Sequence, residues 1–194
     1  MFYRPEEGHG LPHNPMTAIV TPRPIAWVST RGERGDNLAP YSFFNAVAYD
    51  PPQLMFASTG RKDSVRNIKE RSVFAVNIVE YAALEAMNRT SGTYPPAPDE
   101  FILANVAKAG CATIDCPRVA DAPATFECRM TDILTLKGDG NFLILGEVTG
   151  VHLRDDCMVG GRFDVTRFAP LARSGYRNYA VVREVFEMSR PDER

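Results

Sequence analysis

The chain of 194 residues is poor in the residues that mark several common classes of protein. It has four cysteines and three histidines, and no two cysteines stand in CxxC spacing. We therefore expect no metal site, and the thiols are typical of a reduced, cytoplasmic protein. No stretch has an apolar run as long as a signal peptide or a membrane-spanning helix needs, so we expect a cytoplasmic protein without a membrane segment.

An excess of charge of one sign is also missing. The 22 Lys and Arg residues against 24 Asp and Glu residues give a net charge of −2, which provides no general attraction to nucleic acid, and we expect no nucleic-acid partner. The GxGxxG, GxxxxGK[ST] and GxSxG motifs are absent, which argues against a Rossmann domain, a P-loop enzyme and an esterase-like hydrolase. No Ser-His-Asp order or HExxH pair occurs either. If the protein is an enzyme, a bound cofactor is expected to supply the chemistry, and we predict no catalytic side chain.

The first half of the chain combines strand patterns with short helical patterns. Residues 1–17 are rich in Gly and Pro and are expected to be extended. The stretch "DSVRNIKER" predicts a helix with Asp63 as its N-cap, and "SVFAVNIV" predicts a buried strand. Two further helices are predicted from "EYAALEAMNRTS" and "EFILANVAKAG", on either side of a proline-rich surface loop, "GTYPPAPDE". Runs of β-branched, aromatic and other apolar residues predict strands at 18–21, 25–31, 38–48 and 53–58.

The second half is more clearly β-structure. Two long runs joined at "KGDGN" predict a hairpin. In the first run Phe126 and its alternate neighbours are apolar while Glu127 and its alternate neighbours are polar, which predicts one face exposed to water. Gly146 and Gly150 predict bends in the second run. The segment "EVFEMSRPDER" indicates a strand or short element that leads into a polar tail from about residue 185. One mainly β domain over residues 1–194, a small barrel with peripheral helices, is therefore predicted.

Two features suggest a ligand site, although each has a simpler explanation. Arg61, Lys62 and the Ser64 hydroxyl stand at the start of a predicted helix, where unpaired amide groups favour an anion, but a capped surface helix would look the same. Small polar residues such as Ser29, Thr30 and Ser42 interrupt apolar strands and could bind a flat heteroaromatic ligand, or could merely face solvent. The residues alone favour the simpler explanation at each position.

Taken together, these blocks resemble the flavin reductase-like, FMN-binding split-barrel proteins. The resemblance runs through "PRPIAWVST", "NLAPYSFFN", "YDPPQLMFAS", "RKDSVRNI" and "FAVNIV", and extends to the N-terminal segment, "GEVTGVHLRDD" and "GGRFDVTRFAPLARSGYRNYAVV". One departure is Ser64, where the family often has Thr, and Ser keeps the hydroxyl. The resemblance implies a mainly β (α+β) Greek-key split β-barrel, built as a homodimer with FMN bound near the interface.

The resemblance also implies a set of cofactor-binding residues. Ser29 and Thr30 would lie near the flavin, and Tyr176 and Asn178 would close the site from the C-terminal part of the chain, within one subunit or across the dimer. The ring and ribityl region would be lined by Ala39, Ser42, Phe43, Phe44 and Asn45. The ribityl–phosphate end would be held by Ser58, Thr59, Gly60, Arg61, Lys62 and Ser64.

The implied activity is reduction of FMN by NADH or NADPH, with the protein positioning two stacked rings and excluding water. One alternative is an FMN-holding electron carrier that passes electrons to another protein and oxidises little nicotinamide itself. A second alternative is a split-barrel module that binds another ligand without catalysis. The sequence has no separate signature for a nicotinamide site, so all three remain open at this point.

Overall fold

A computed structural model describes residues 1–94 and 99–193. Its helices are short: α1 (Met16–Ile19), α2 (Asp63–Arg71), α3 (Leu84–Arg89) and α4 (Glu100–Leu103). Single 3-10 turns occur at Pro5–Glu7, Tyr81–Ala83, Asp155–Cys157, Val165–Arg167 and Pro191–Glu193. The strands are β1 (Arg23–Pro24), β2 (Ala26–Gly32), β3 (Gly35–Tyr41), β4 (Phe44–Tyr49), β5 (Pro52–Thr59), β6 (Val73–Ile78), β7 (Lys108–Gly110), β8 (Pro117–Val119), β9 (Ala124–Thr135), β10 (Asn141–Leu153), β11 (Met158–Val159), β12 (Arg162–Phe163), β13 (Leu171–Arg173) and β14 (Tyr179–Val181).

One antiparallel sheet of seven strands, in the order β3-β2-β6-β9-β10-β5-β4, forms the body of the molecule. Its two edge strands follow each other in the chain and are separated only by Ser42 and Phe43. The sheet must therefore curl until its edges approach, and the Phe43 carbonyl accepts a hydrogen bond from the Ala57 amide at 2.8 Å. Because β3 and β4 are not paired with each other, the barrel stays open between them, and the predicted Greek-key split barrel is confirmed.

Two large apolar clusters, with a smaller third one, stabilise this arrangement. The first fills the barrel and includes Phe56 and Phe74, whose ring centroids lie 5.5 Å apart. The second lies between the sheet and the short helices and contains Trp27, Met87 and Phe101. Helix α2 connects β5 to β6 and buries Val65 and Ile68 against the barrel. The start of α2 is thereby fixed beside the open edge of the sheet.

The long hairpin and its bends are confirmed, but one face of it differs from the prediction. The pairing of β9 with β10 shifts register at Leu145/Gly146 and Val148/Gly150, at the two predicted glycines. A Cβ on Gly146 would lie 2.5 Å from the Phe74 ring, so this glycine also permits close packing. The prediction that Glu127 faces water is wrong. Its carboxylate is fully buried and holds the 111–116 loop against the sheet.

Three local predictions also need correction. The predicted strand over 18–21 is wrong because residues 16–19 form α1, whose first amide donates to the Asn14 side chain at 2.9 Å. The predicted strand over 38–48 is two strands, because the chain changes sheet edge at Ser42. Lys62, rather than Asp63, is the N-cap of α2, and the Asp63 carboxylate instead pairs with Arg66 at 2.5 Å.

The remaining local predictions concern loops and termini. The "GTYPPAPDE" loop is described only at 92–94 and 99–100, so its proline-rich centre lies outside the described residues. The C-terminal tail has no strand at 182–190 and ends in the 3-10 turn noted above. In the described parts of the chain, no helix is long and apolar enough to cross a membrane.

Candidate functional site

A cavity of about 410 Å³ lies where the start of α2 faces β3 and the loop after α3; we call it the first cavity. It brings together four of the residues predicted to bind the cofactor, Ala39, Arg61, Lys62 and Ser64. Its other lining residues are Asn37, Pro40, Tyr41, Asp63, Thr90, Ser91, Gly92, Thr93, Tyr94 and Glu100. Its volume is within the range usual for small-molecule sites.

The polar groups of the first cavity suit a phosphate. No side chain caps the N-terminus of α2, so its first amide groups are available to an anion, and Arg61 and Lys62 add positive charge beside them. The Ser64 hydroxyl is buried and donates to Asn37 Oδ1 at 2.7 Å. Because a hydroxyl carries one hydrogen, Ser64 can donate either to Asn37 or to a bound phosphate, but not to both.

Tyr41 supplies a further unused group. Its hydroxyl is buried and, among the described residues, has no partner in hydrogen-bonding geometry. Burial raises the pKa of Tyr41, against a smaller opposing effect of the Ser64 and Ser58 hydroxyls nearby. A buried hydroxyl without a partner is uncommon, and a ligand or water in the cavity would satisfy it.

Two carboxylates also border the first cavity. Asp63 is neutralised by Arg66, as described above, whereas the buried Glu100 accepts a hydrogen bond from the Leu38 amide at 3.2 Å. Burial raises the pKa of Glu100, and hydrogen bonds from the backbone of Glu100 and Leu38 and from Asn37 offset part of that rise. Burial thus disfavours the charged form of this carboxyl.

The loop 90–94, "TSGTY", forms a wall of the cavity, and its sequence pattern does not indicate this role. Thr90 fixes its start, since its hydroxyl accepts from Trp27 Nε1 at 2.9 Å and donates to the Met87 carbonyl at 2.8 Å. The Tyr94 ring lies over Gly92, where an added Cβ would be 2.6 Å from the ring. The only hint of this role in the sequence is the group of hydroxyl residues around Gly92. The preceding residues have a helical pattern, and the predicted helix included Thr90 and Ser91, so this hint was not recognised as a ligand-binding loop.

A second cavity, of about 360 Å³, adjoins the first and shares Pro40 and Ser91 with it. It contains the predicted residue Ser42. Its remaining lining residues are Ile25, Met87, Asn88, Arg173 and Tyr179. Phe43, next to Ser42, is 45% exposed, and Asn45 is exposed on β4. This part of the predicted ring site therefore borders the second cavity or solvent.

Ser29 and Thr30 line neither cavity. The Ser29 hydroxyl donates to the Pro117 carbonyl at 2.7 Å, and Thr30 accepts from Asn67 at 3.1 Å. Asn77 donates to the Trp27 carbonyl and to Ser29, and its oxygen accepts from the Val119 amide and the Thr125 hydroxyl, at 2.8 to 3.1 Å. We call Asn77 and its four partners, on Trp27, Ser29, Val119 and Thr125, the Asn77 network. Its groups are buried and bonded within the protein, so contact of Ser29 and Thr30 with a flavin stays a prediction.

The other predicted residues are distributed around the site. Phe44 is buried in the barrel cluster, and Ser58 is buried and donates to the Gly60 carbonyl at 3.2 Å. Gly60 has a φ of +91°, which residues with a side chain rarely adopt. It turns the chain toward α2 after the exposed Thr59. Tyr176 and Asn178 are exposed in the turn between β13 and β14 and line neither cavity, so their role also stays a prediction.

Comparison with known proteins identifies related sequences and structures. The family model "Flavin reductase like domain" matches residues 17–168. An uncharacterized protein of Deinococcus radiodurans is 37% identical over 189 residues, covering 90% of this chain and 82% of that protein. The crystal structure of nitrilotriacetate monooxygenase component B from Bacillus cereus has a TM-score of 0.91 and 30% identity, covering 97% of this chain and 98% of that one. The 2-nitrobenzoate 2-nitroreductase NbaA of Pseudomonas fluorescens has a TM-score of 0.83 and 31% identity, covering 91% and 88%.

Proposed function

Because the chain belongs to the flavin reductase-like family, we propose that it is an FMN-binding oxidoreductase that takes its electrons from NADH or NADPH. The observation that carries this proposal is the first cavity, where Arg61 and Lys62 stand at the uncapped start of α2 beside the unsatisfied hydroxyl of Tyr41. Cationic side chains and free amide groups around one space favour a phosphate, and FMN carries one.

The bound FMN would supply the hydride chemistry, and the protein would supply position and shelter. Arg61 and Lys62 would hold the phosphate, and Ser64 would donate to it after releasing Asn37. The segment Ser42–Asn45 crosses the open edge of the barrel and would place the ring beside the second cavity, where the other substrate enters. The loop 90–94 would shield the phosphate end from water. In this arrangement no side chain has to transfer a proton, in line with the prediction that none is catalytic.

The proposal is tested by the visible spectrum of the freshly purified protein and by identification of any released chromophore. We expect bound FMN, and oxidation of NADH or NADPH that depends on flavin. A colourless protein that does not take up added FMN would overturn the proposal.

Variants at the phosphate end give a sharper test. Arg61→Gln and Lys62→Gln should each weaken FMN binding about 10-fold or more, because each removes a charge-assisted contact. Arg71→Gln is the matched control, because it removes the same charge from the other end of α2. Equal FMN affinity in all three variants would place the phosphate elsewhere.

The alternative of an electron carrier with a protein acceptor is separated by kinetics. A reductase should oxidise NADH or NADPH in steady state, faster when free flavin is added, whereas a carrier should hold FMN but oxidise little nicotinamide alone. The similarity to a monooxygenase component and to a nitroreductase favours an oxidoreductase. The cytoplasmic location stays a prediction.

We further propose that the protein acts as a homodimer. Large apolar side chains are exposed on the outer strand β4 and on the C-terminal tail, with Tyr49 97% and Phe186 85% exposed. A second copy of the chain would cover such surface in the family's usual assembly, and removal of apolar area from water would stabilise the contact. Light scattering on the protein as it elutes from a size-exclusion column should give a molar mass twice the chain mass of 21.5 kDa. A monomer at micromolar concentration would contradict the proposal.

A further inference from the structure

Two arginines face each other where β1 pairs with β13. Arg23 and Arg173 are direct cross-strand partners in this antiparallel pair. Arg23 is buried, and its Nη1 donates to the carbonyls of Thr17 and Val20, while its Nε is buried without a hydrogen-bond partner. Arg173 is half-buried, donates to the Tyr176 carbonyl at 2.7 Å and lies 4.5 Å from the centroid of the Tyr179 ring. Two positive charges are thus held together on neighbouring strands.

Neither arginine has a carboxylate partner within residues 1–94 and 99–193. Two other arginines in the structure do have such partners: Arg31 pairs with Asp36 and Asp115, and Arg154 pairs with Glu80 and Asp156. Like charges directly opposite each other on paired strands are destabilising. Burial, and to a smaller extent Arg173, lowers the pKa of Arg23, which indicates the same unfavourable environment. An anion between or beside the two guanidinium groups would relieve it.

The arginine pair lies next to the expected flavin ring. Arg173 lines the second cavity, whose lining includes no acidic side chain. The guanidinium of Arg23 lies 5.6 Å from the centroid of the Phe43 ring, in the segment that would hold the ring system. The second cavity also shares Pro40 and Ser91 with the first. A molecule in the second cavity would therefore meet both the flavin and a cationic side chain.

We propose that the second cavity is a subsite for the negatively charged group, a carboxylate or a phosphate, of the substrate that exchanges electrons with the flavin. Arg173 contacts that group directly, and Arg23 adds positive charge behind it. This inference rests on the proposed function for the identity of the flavin, but the anion site itself does not require flavin. Two sources fit the chemistry: the carboxylate of an aromatic acceptor, and the pyrophosphate of the nicotinamide dinucleotide.

Binding of unreactive probes tests the subsite. Benzoate represents the carboxylate, ADP-ribose represents the pyrophosphate, and benzamide is a neutral molecule of the shape of benzoate. Calorimetric titration is done on both the FMN-loaded and the flavin-free protein. We expect benzoate, ADP-ribose or both to bind more tightly than benzamide. Binding of one probe alone identifies the source of the anion.

Variants connect the binding to the arginine. Arg173→Gln should weaken the anionic probe about 10-fold to 100-fold, the usual size of a charged hydrogen-bonded contact, and leave benzamide unchanged. Arg173→Lys should restore part of the affinity, because it keeps the charge but not the planar fork. Arg34→Gln, which removes an exposed charge in the turn between β2 and β3, should bind as the unchanged protein does.

Two results would overturn the inference. One is that neither anionic probe binds better than benzamide. The other is that Arg173→Gln leaves anion affinity unchanged but weakens dimerisation, which would show that a carboxylate of a second copy neutralises the pair. Failure of FMN to bind, with anion binding retained in the flavin-free protein, would instead overturn the proposed function and leave the subsite in place.

Discussion

The Asn77 network and the first cavity contain the same kinds of side chain in opposite states. Asn77 uses its whole hydrogen-bonding capacity within the protein, with two bonds donated and two accepted. Across the sheet, Tyr41 has a buried hydroxyl with no partner, and the start of α2 has no side-chain cap. Hydroxyl and amide side chains therefore favour a ligand site where they line a cavity and some of the polar groups around it lack a partner.

The largest effect on stability is expected in the Asn77 network, whose hydrogen bonds are all made within the protein. Asn77→Ala should lower the free energy of unfolding by about 3–5 kcal/mol, because it leaves the Val119 amide and the Thr125 and Ser29 hydroxyls with fewer partners in a dry interior. Chemical denaturation measures the change. FMN affinity of the fraction that folds should be unaffected, and a loss of affinity without a loss of stability would contradict the distinction.

The next largest effect is the loss of folding stability in acid that is expected when the buried Glu127 is protonated. Burial alone would raise the pKa of Glu127, but hydrogen bonds from Thr113, the Ala112 amide and His152 lower it to about 2. A carboxyl whose pKa is lower in the folded state stabilises the fold above its unfolded value of 4.5 and loses that contribution as the pH falls toward 2. We expect a loss of about 3 kcal/mol over this window. Glu127→Gln is the control, since its stability should change less between the same two pH values.

Two serines, Ser29 in the Asn77 network and Ser64 in the first cavity, test the difference between these two regions directly. Ser29→Ala should destabilise the fold by about 1–2 kcal/mol, with FMN affinity unchanged, because its hydroxyl bonds, among the described residues, to Pro117 and Asn77 alone. Ser64→Ala should reduce FMN affinity about 10-fold, as expected for one lost hydrogen bond to a phosphate. Paired measurements of denaturation and flavin binding check both variants. A reversed pattern would mean that Ser29, as first predicted from the family resemblance, is the flavin contact.

The smallest effect is expected at Tyr41. Tyr41→Phe removes a buried hydroxyl that has no partner, so the flavin-free protein should keep its stability or gain up to about 1 kcal/mol. FMN affinity should fall by up to about fivefold if the ligand or its bound water satisfies that hydroxyl. Lower stability of the flavin-free variant would show that the hydroxyl is bonded in solution.

The sequence was informative where its pattern repeated and where the family blocks matched. The strands β2, β5 and β6, the hairpin of β9 and β10 with its two glycine bends, and helix α2 all follow from periodicity and turn residues. The pattern could not show that one strand ends and the next begins around Ser42, because the change of sheet edge there depends on barrel closure. For the same reason it could not show that Glu127 points inward to bind a distant loop.

In the candidate site, too, some residues could be found from the sequence and others only from the structure. Arg61, Lys62 and Ser64 line one cavity, because all three lie at one helix start, and their binding of FMN stays a prediction. Loop 90–94 and Glu100 were missed because they reach the cavity only through tertiary packing on β3. Ser29 and Thr30 carry a hydroxyl as Ser64 does, but only the structure shows that Ser64 lines the first cavity whereas the other two are bonded to Pro117 and Asn67 away from it.

The border that the two cavities share is small, so their linings are largely independent of each other. Pro40 and Ser91 are the only lining residues that both cavities have in common among the described residues. Residues at the phosphate end come from the first hundred positions, whereas Arg173 and Tyr179 come from strands near the end of the chain. Substitutions in those two late strands would therefore change the lining of the second cavity and leave the Arg61, Lys62 and Ser64 end of the first cavity as it is, so the two cavities can be altered one at a time.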